Sequence, residues 1–286
     1  MCRIFLSINS SNPEKQIRTF FDLSLETTCT DGYGIAYIKN KKFRIYKQPV
    51  QHIEDPCFSH NIKKMEGDVY IGHVREILKN GSRNGVSKEL YVKNRCLENT
   101  HPFQYKNNIF MHHGDIFVNC SIDGENELLF YQKYRENPCV VKKMKCIKKY
   151  IPNELQREIK GNTDSEFLFF LFLSIYEKQK NHFNGLEEET NLLTSFYCML
   201  QILRKYKIEH HSNIIFSNGD FIIAANICDT KNAERIKPCD FYMDKTDGLL
   251  FSCLKCTDAS ELVQPNTIHI INVKTGSCNN YPAILL

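Results

Sequence analysis

The run MCRIFLSINS, residues 1–10, places a cysteine directly behind the initiator methionine and at the head of a strand-like segment. Within RIFLSI (3–8), Ile4, Leu6 and Ile8 fall on one side and Phe5 and Ser7 on the other, which predicts a mostly buried β-strand. A free thiol in an exposed tail is an oxidation hazard with nothing to gain. Once Met1 is removed, however, Cys2 carries the chain's own α-amine. An amine of pKa about 7.7–8.0 can take a proton without a neighbouring histidine, and a thiol of pKa about 8.5 is close to its thiolate form. The pair could attack an amide carbonyl and then return the proton to the leaving group. Such chemistry needs an oxyanion donor and groups that orient the substrate elsewhere in the chain.

Working outward, Asn12-Pro13 predicts a helix running to about Ser24, with Asn12 as cap and Pro13 at its first position. DGYGIAYIKNKKFRIYKQPV (31–50) has two alternating runs around a polar break at Asn40-Lys41-Lys42, a hairpin pattern. GDVYIGHVR (67–75) reads as a strand ending at an arginine. KNNIFMHHGDIF (106–117) reads as strand, turn and strand, with His112, His113, Gly114 and Asp115 in the turn. After residue 150 the pattern changes. GNTDSEFLFFLFLSIYEKQKN offers Thr163 or Asp164 as a helix cap with Glu166 near the first turn. A second helix is predicted over 186–207 from Leu192, Leu193, Phe196, Met199 and Leu200. NIIFSNGDFIIAAN (213–226) is a hairpin about Asn218-Gly219, and further strands are predicted at 249–254 and 267–273. A β-rich first half, two helices and more strands imply an α+β layered fold over residues 1–286 as one domain, without regular βαβ winding.

Thirty-seven basic against 33 acidic residues leave a formal charge of only +4. The densest basic stretch, VKKMKCIKKY (141–150), suits an anion or a solvated connection, and nucleic acid is not expected as a partner. The 13 cysteines are odd in number and do not fall into a staple pattern. With no secretory leader in view, a reducing, cytoplasmic setting is expected. FLFFLFL (167–173) is far too short to span a bilayer, so no membrane partner is expected.

The motifs MCRIF, DGYGIAY (31–37), GHVR (72–75), HPF (101–103), MHHGDI (111–116) and GNTDSE (161–166) occur in this order. Together they resemble the glutaminase domain of class II glutamine amidotransferases, an N-terminal-nucleophile fold of two facing sheets between helix layers. The likeness spans nearly the whole chain. It is strongest to the stand-alone, amidohydrolase-like branch, which includes enzymes acting on γ-glutamyl compounds in glutathione degradation and ergothioneine synthesis. The resemblance implies a four-layer αββα sandwich. It implies Cys2 as nucleophile, the Gly114 backbone N–H in the oxyanion hole, Arg75 on the substrate α-carboxylate and Asp164 on its α-ammonium. His73 and Asp31-Gly32 would shape the pocket. The substrate implied is glutamine or a small γ-glutamyl amide, cleaved through a Cys2 thioester. No metal or organic cofactor is implied, and any ammonia transfer would need a separate accepting partner.

One departure stands out. The family pattern reads Asn-Gly at the oxyanion turn, where this chain has His113-Gly114. A neutral histidine can donate from one ring nitrogen, so His113 is expected to replace the amide. Loss of one oxyanion donor costs about a hundredfold or more in rate. The alternative is therefore a weak or inactive protein that binds γ-glutamyl ligands in a regulatory role. Among rival motifs, Cys253-Leu254-Lys255-Cys256 lacks the second cysteine pair or two histidines at suitable spacing that a structural zinc site wants, and Cys239 and Cys278 do not form that pattern. Taken singly, Cys2 is an ordinary buried strand cysteine, Arg75 an ion-pair residue, Asp164 a helix cap and Asp115 a local turn acceptor.

Overall fold

The computed structural model describes residues 2–77, 92–122, 125–182, 185, 187–231 and 236–283. Met1, and with it the expectation of its removal, lies outside the described residues. Alternating apolar residues give β1 (Arg3–Ile8), which pairs antiparallel with β4 (Val69–Val74) and β11 (Leu249–Ser252). β2 (Tyr33–Lys39) and β3 (Lys42–Gln48) form the expected hairpin, turning through Asn40 and Lys41 at positive φ of 52° and 62°. With β10 (Tyr242–Asp244) and β12 (Glu261–Leu262) these strands make one sheet, ordered β12-β10-β11-β1-β4-β2-β3.

The second sheet is built from β5 (Phe103–Tyr105), β6 (Asn108–Ile122), β7 (Glu125–Phe130), β8 (Ile208–Ser217), β9 (Phe221–Asp229), β13 (Thr267–Asn272) and β14 (Cys278–Pro282). Its order is β14-β13-β9-β8-β6-β5, with β7 also paired to β6. The two sheets face each other across an apolar layer. Ile4, Leu6 and Ile8 of β1, Ile71 of β4 and Met111 of β6 meet there. Full burial of each such side chain contributes about 1.5–3 kcal/mol.

Helices cover both outer faces. α1 (Pro13–Ser24), capped by Asn12, sets Ile17, Phe20 and Phe21 on the first sheet, where Phe20 stacks on Phe5 at 5.2 Å. α2 (Phe58–Lys63) joins that layer through Phe58 and Ile62. On the second sheet lie α3 (Pro138–Lys148), α4 (Asp164–His182) and α5 (Glu188–Lys205). Residues 164–174 of α4 are buried on all sides, which explains its unbroken FLFFLFL run. The result is the expected helix–sheet–sheet–helix sandwich. No helix among the described residues is long and apolar enough to cross a membrane.

Three local expectations change. Residues 106–117 contain no strand–turn–strand break after Asn108: β6 runs through Gly114 as a continuous strand of 15 residues, paired to β8 without interruption from Ile109 to Val118. The basic 141–150 stretch is mostly helical, because Val140, Met144 and Ile147 recur at helical spacing and are buried, while Lys142, Lys145, Lys148 and Lys149 face out and Lys143 donates to Asn119 O. Cys120 of β6 and Cys139 in the first turn of α3 form a disulfide, with Cα atoms 6.1 Å apart.

Candidate active site

Strand register assembles the site. Arg3 pairs with Val74, so the antiparallel ladder sets Cys2 across from Arg75. Tyr33 also pairs with Val74, which brings Gly32 and Asp31 to the other flank of the arginine. There Arg75 N–H donates to Gly32 O at 2.7 Å, and Asp31 Oδ2 accepts from Ile77 N at 2.7 Å. Asp31-Gly32 thus hold the arginine's backbone from behind.

One cavity is lined by Cys2, Arg75, Gly114 and Asp164, together with Asn94, His101, His112, Asp115, Gln132 and Ser165. Its free volume is about 90 Å³, well below the roughly 300–1,000 Å³ of sites for drug-sized ligands. The room suits one amino-acid end of a substrate.

The Cys2 sulfur accepts from Glu76 N at 3.4 Å. Burial above all, with Cys29 adding to it and Arg75 opposing, pushes this thiol up to about 12. A thiol in that state needs a base beside it. Arg75 is 6% exposed, and its guanidinium makes one hydrogen bond among the described residues, from Nη1 to Asn94 O at 2.7 Å. It makes no ion pair among the described residues. A buried cation without a carboxylate partner is costly unless an anion arrives.

Asp164 is the complementary feature. Thr163 caps α4, its Oγ1 accepting from Glu166 N at 3.1 Å, so the capping role leaves Asp164 free. Asp164 Oδ1 accepts from Gln132 Nε2 at 3.0 Å and Ser165 N at 2.8 Å. Its Oδ2 is buried and has no hydrogen-bond partner among the described residues. Burial, then the nearby Asp115, pushes this carboxyl up to about 6. A carboxylate oxygen without a hydrogen-bond partner and a guanidinium without an ion pair, among the described residues, therefore belong to side chains lining the same small space.

Gly114 sits at φ +152°, and a Cβ there would lie 1.9 Å from His211 O, so only glycine fits. His112 lines the cavity and bonds Ser165 Oγ at 2.9 Å and Ser212 Oγ at 3.0 Å. Burial, with His210 and His211 adding to it, lowers its pKa to about 3, so the ring is neutral. Asp115 is no mere turn acceptor. It lines the cavity and pairs with His211 Nε2 at 3.2 Å.

His113 is not brought to the cavity. Strand alternation sends Ile109, Met111 and His113 into the layer between the sheets, and Phe110 and His112 toward the helices. The His113 ring lies against Cys253 Sγ (2.8 Å from Nδ1) and Arg3 Nη1 (3.4 Å from Nε2). This geometry replaces the expectation of an oxyanion donor at His113. His73 also does not line the cavity; it is fully buried and stacks on His101 with ring centroids 3.9 Å apart. His101, by contrast, does line it, and neither of its ring nitrogens has a hydrogen-bond partner among the described residues. Sequence reading gave no role to Gln132, Asn94 or Ser165. His101 stood in a flagged motif, HPF, and Ser165 in another, GNTDSE.

Among the described residues no group of three or more histidine, cysteine or acidic side chains could hold a metal ion.

No protein-family model matches the chain. It is 24% identical over 204 residues to an uncharacterized protein of Methanocaldococcus jannaschii, covering 68% of this chain and 42% of that protein. The chain thus spans less than half the length of this curated relative. Among solved structures it is similar to a glutamine aminotransferase class-II domain protein from Silicibacter pomeroyi. That match has a TM-score of 0.58 at 16% identity, over 98% of this chain and 99% of the other. It is also similar to glutamine phosphoribosylpyrophosphate amidotransferase from B. subtilis, with a TM-score of 0.56 at 13% identity, over all of this chain and 50% of that one. The chain has the N-terminal-nucleophile hydrolase fold of class II glutamine amidotransferase domains. Within it, Cys2 stands immediately ahead of β1 and at the cavity wall.

Proposed function

We propose that this protein hydrolyses the γ-carboxamide of glutamine, or the γ-glutamyl amide bond of a small molecule, with Cys2 as nucleophile. The observation that carries the reading is the pairing of two unmet charges in one small cavity: the buried Arg75 guanidinium and the orphan Asp164 Oδ2, both beside the Cys2 thiol. A free α-amino acid end presents a carboxylate and an ammonium, and these two groups answer it. Arg75 would meet the carboxylate with its planar fork, and Asp164 would receive the ammonium.

With the amino-acid end so anchored, the γ-carbonyl is directed at Cys2. The thiol is held protonated by burial, so its proton must pass to a base. The α-amine exposed by loss of Met1 is a base of suitable strength on the same residue. The carbonyl carbon becomes bonded to sulfur, the Gly114 N–H supports the oxyanion, and the amine returns the proton to the departing nitrogen. Water then cleaves the thioester and releases glutamate.

A binding-only reading draws on one observation, the seclusion of the His113 ring from the cavity. It removes the second oxyanion donor expected at that position. An assay of processed protein with glutamine, glutathione and γ-glutamyl amides separates the two. Hydrolysis that disappears in Cys2→Ala and in protein retaining Met1 supports the enzyme. Saturable binding of these compounds without turnover supports the alternative.

A further inference from the structure

The seclusion of His113 has a use at the nucleophile. A terminal Cys2 would have a single peptide link, through its carbonyl, and the β1–β4 ladder begins only at Arg3. Its backbone is therefore secured by whatever binds Cys2 O. That partner is the next residue's side chain: Arg3 Nη1 donates to Cys2 O at 2.9 Å. The same Nη1 lies 3.4 Å from His113 Nε2.

Donor chemistry fixes the direction of the chain of bonds. A guanidinium nitrogen can only donate, so His113 Nε2 must accept. A neutral ring accepting there carries its proton on Nδ1, which then donates to Cys253 Sγ at 2.8 Å. Asn213 Nδ2 donates to the same sulfur at 3.3 Å. Cys253 N in turn donates to Ile4 O at 3.0 Å, tying the sulfur's residue to β1 two positions from the nucleophile. Burial, then the charge of Arg3, holds the His113 pKa well below its ordinary value, which agrees with the neutral ring this pattern requires.

We infer that His113 is a positioning residue, orienting the Arg3 guanidinium that clamps the carbonyl of Cys2, with Cys253 as the anchor that sets its tautomer. The histidine thus stands where the resembling family has an asparagine, but it acts on the nucleophile's backbone and not on the substrate. The inference rests on the reading of Cys2 as nucleophile. An asparagine in this place offers an acceptor or a donor on a shorter stem and cannot span Arg3 and Cys253 with a rigid ring.

The test combines turnover of a γ-glutamyl anilide with iodoacetamide alkylation of Cys2 across a pH series, mapped by peptide mass. Exposed Cys57 serves as internal control. Arg3→Ala and His113→Ala are each expected to lower kcat about tenfold with KM unchanged. The double variant should fall no further than Arg3→Ala alone. Loosening Cys2 admits more water to a partly buried thiol, so the pH midpoint of its alkylation should move down equally in all three, with Cys57 unaffected. His113→Gln, which keeps a neutral acceptor, should recover most of the loss and remains informative if the alanine variant does not fold. Multiplicative losses, an unmoved midpoint, or a glutamine variant no better than alanine would each overturn the inference. If wild-type protein shows no turnover while the alkylation pattern holds, the positioning role stands and the hydrolase reading fails.

Discussion

Replacing Asp164 with asparagine should stabilise the ligand-free protein near neutrality while weakening its affinity for substrate. Asp164 is 4% exposed and sits near pKa 6, raised first by burial and then by Asp115, against an ordinary value of 3.8. Because the folded state binds this proton more tightly than the unfolded one, the carboxyl's contribution is fully present below about pH 4. It is lost as pH rises through about 6. The displacement of about two pH units corresponds to about 3 kcal/mol, the cost of holding the ionised group in place above that range. The amide oxygen of the variant can keep the bonds from Gln132 and Ser165, and its NH₂ replaces an oxygen that had no partner. An unpaired buried donor offsets part of the gain, so a net stabilisation of about 1–3 kcal/mol is expected at about pH 8 and almost none at about pH 4. Urea denaturation of both proteins at the two pH values measures it. A variant less stable than wild type at about pH 8, or a difference equal at both pH values, would refute the claim that Asp164 is a charge kept for a ligand.

Other consequences follow from the same geometry. Arg75→Lys replaces a fork with a point charge and loses the 2.7 Å bond to Asn94 O, so KM for a γ-glutamyl substrate should rise about tenfold or more. A steady-state comparison that leaves KM unchanged would remove Arg75 from the binding site. Gly114→Ala drives a Cβ to 1.9 Å from His211 O and must displace β6 from β8; kcat should fall about a hundredfold and Tm should drop. In wild type, kcat/KM should decline as pH falls below about 6, because a protonated Asp164 cannot receive an ammonium. Asp164→Glu retains a titrating carboxyl and should shift that limb; loss of the limb only in Asp164→Asn identifies the group.

Much of this was legible in the sequence where local chemistry is decisive. Asn12-Pro13 fixed the start of α1, Asn40-Lys41 and Asn218-Gly219 marked their hairpins, and the apolar run of α4 announced a helix buried on every side. Motif order alone located Cys2, Arg75, Gly114 and Asp164, which register then gathers at one cavity. The failures have a common cause: the deciding partner is remote in sequence. His113 follows strand parity toward Cys253, 140 residues away, and Arg3. Gly114 does not end its strand because β8 continues to pair on both sides of it. Gln132 and Ser165 matter only because they occupy one oxygen of Asp164 and leave the other bare. The lysines of 142–149 masked a helix whose buried stripe is only three residues wide.

The central claim is that Cys2, as the chain's own terminus, attacks the γ-carbonyl of a substrate anchored by Arg75 and Asp164. Its most direct test is to treat the processed protein with a glutamine analogue bearing an electrophile at the γ-position and to map the adduct by mass. The account predicts one label, on a peptide that begins at Cys2, and protection by excess glutamate. Labelling of another cysteine, or equal labelling of protein that still begins with Met1, would contradict it.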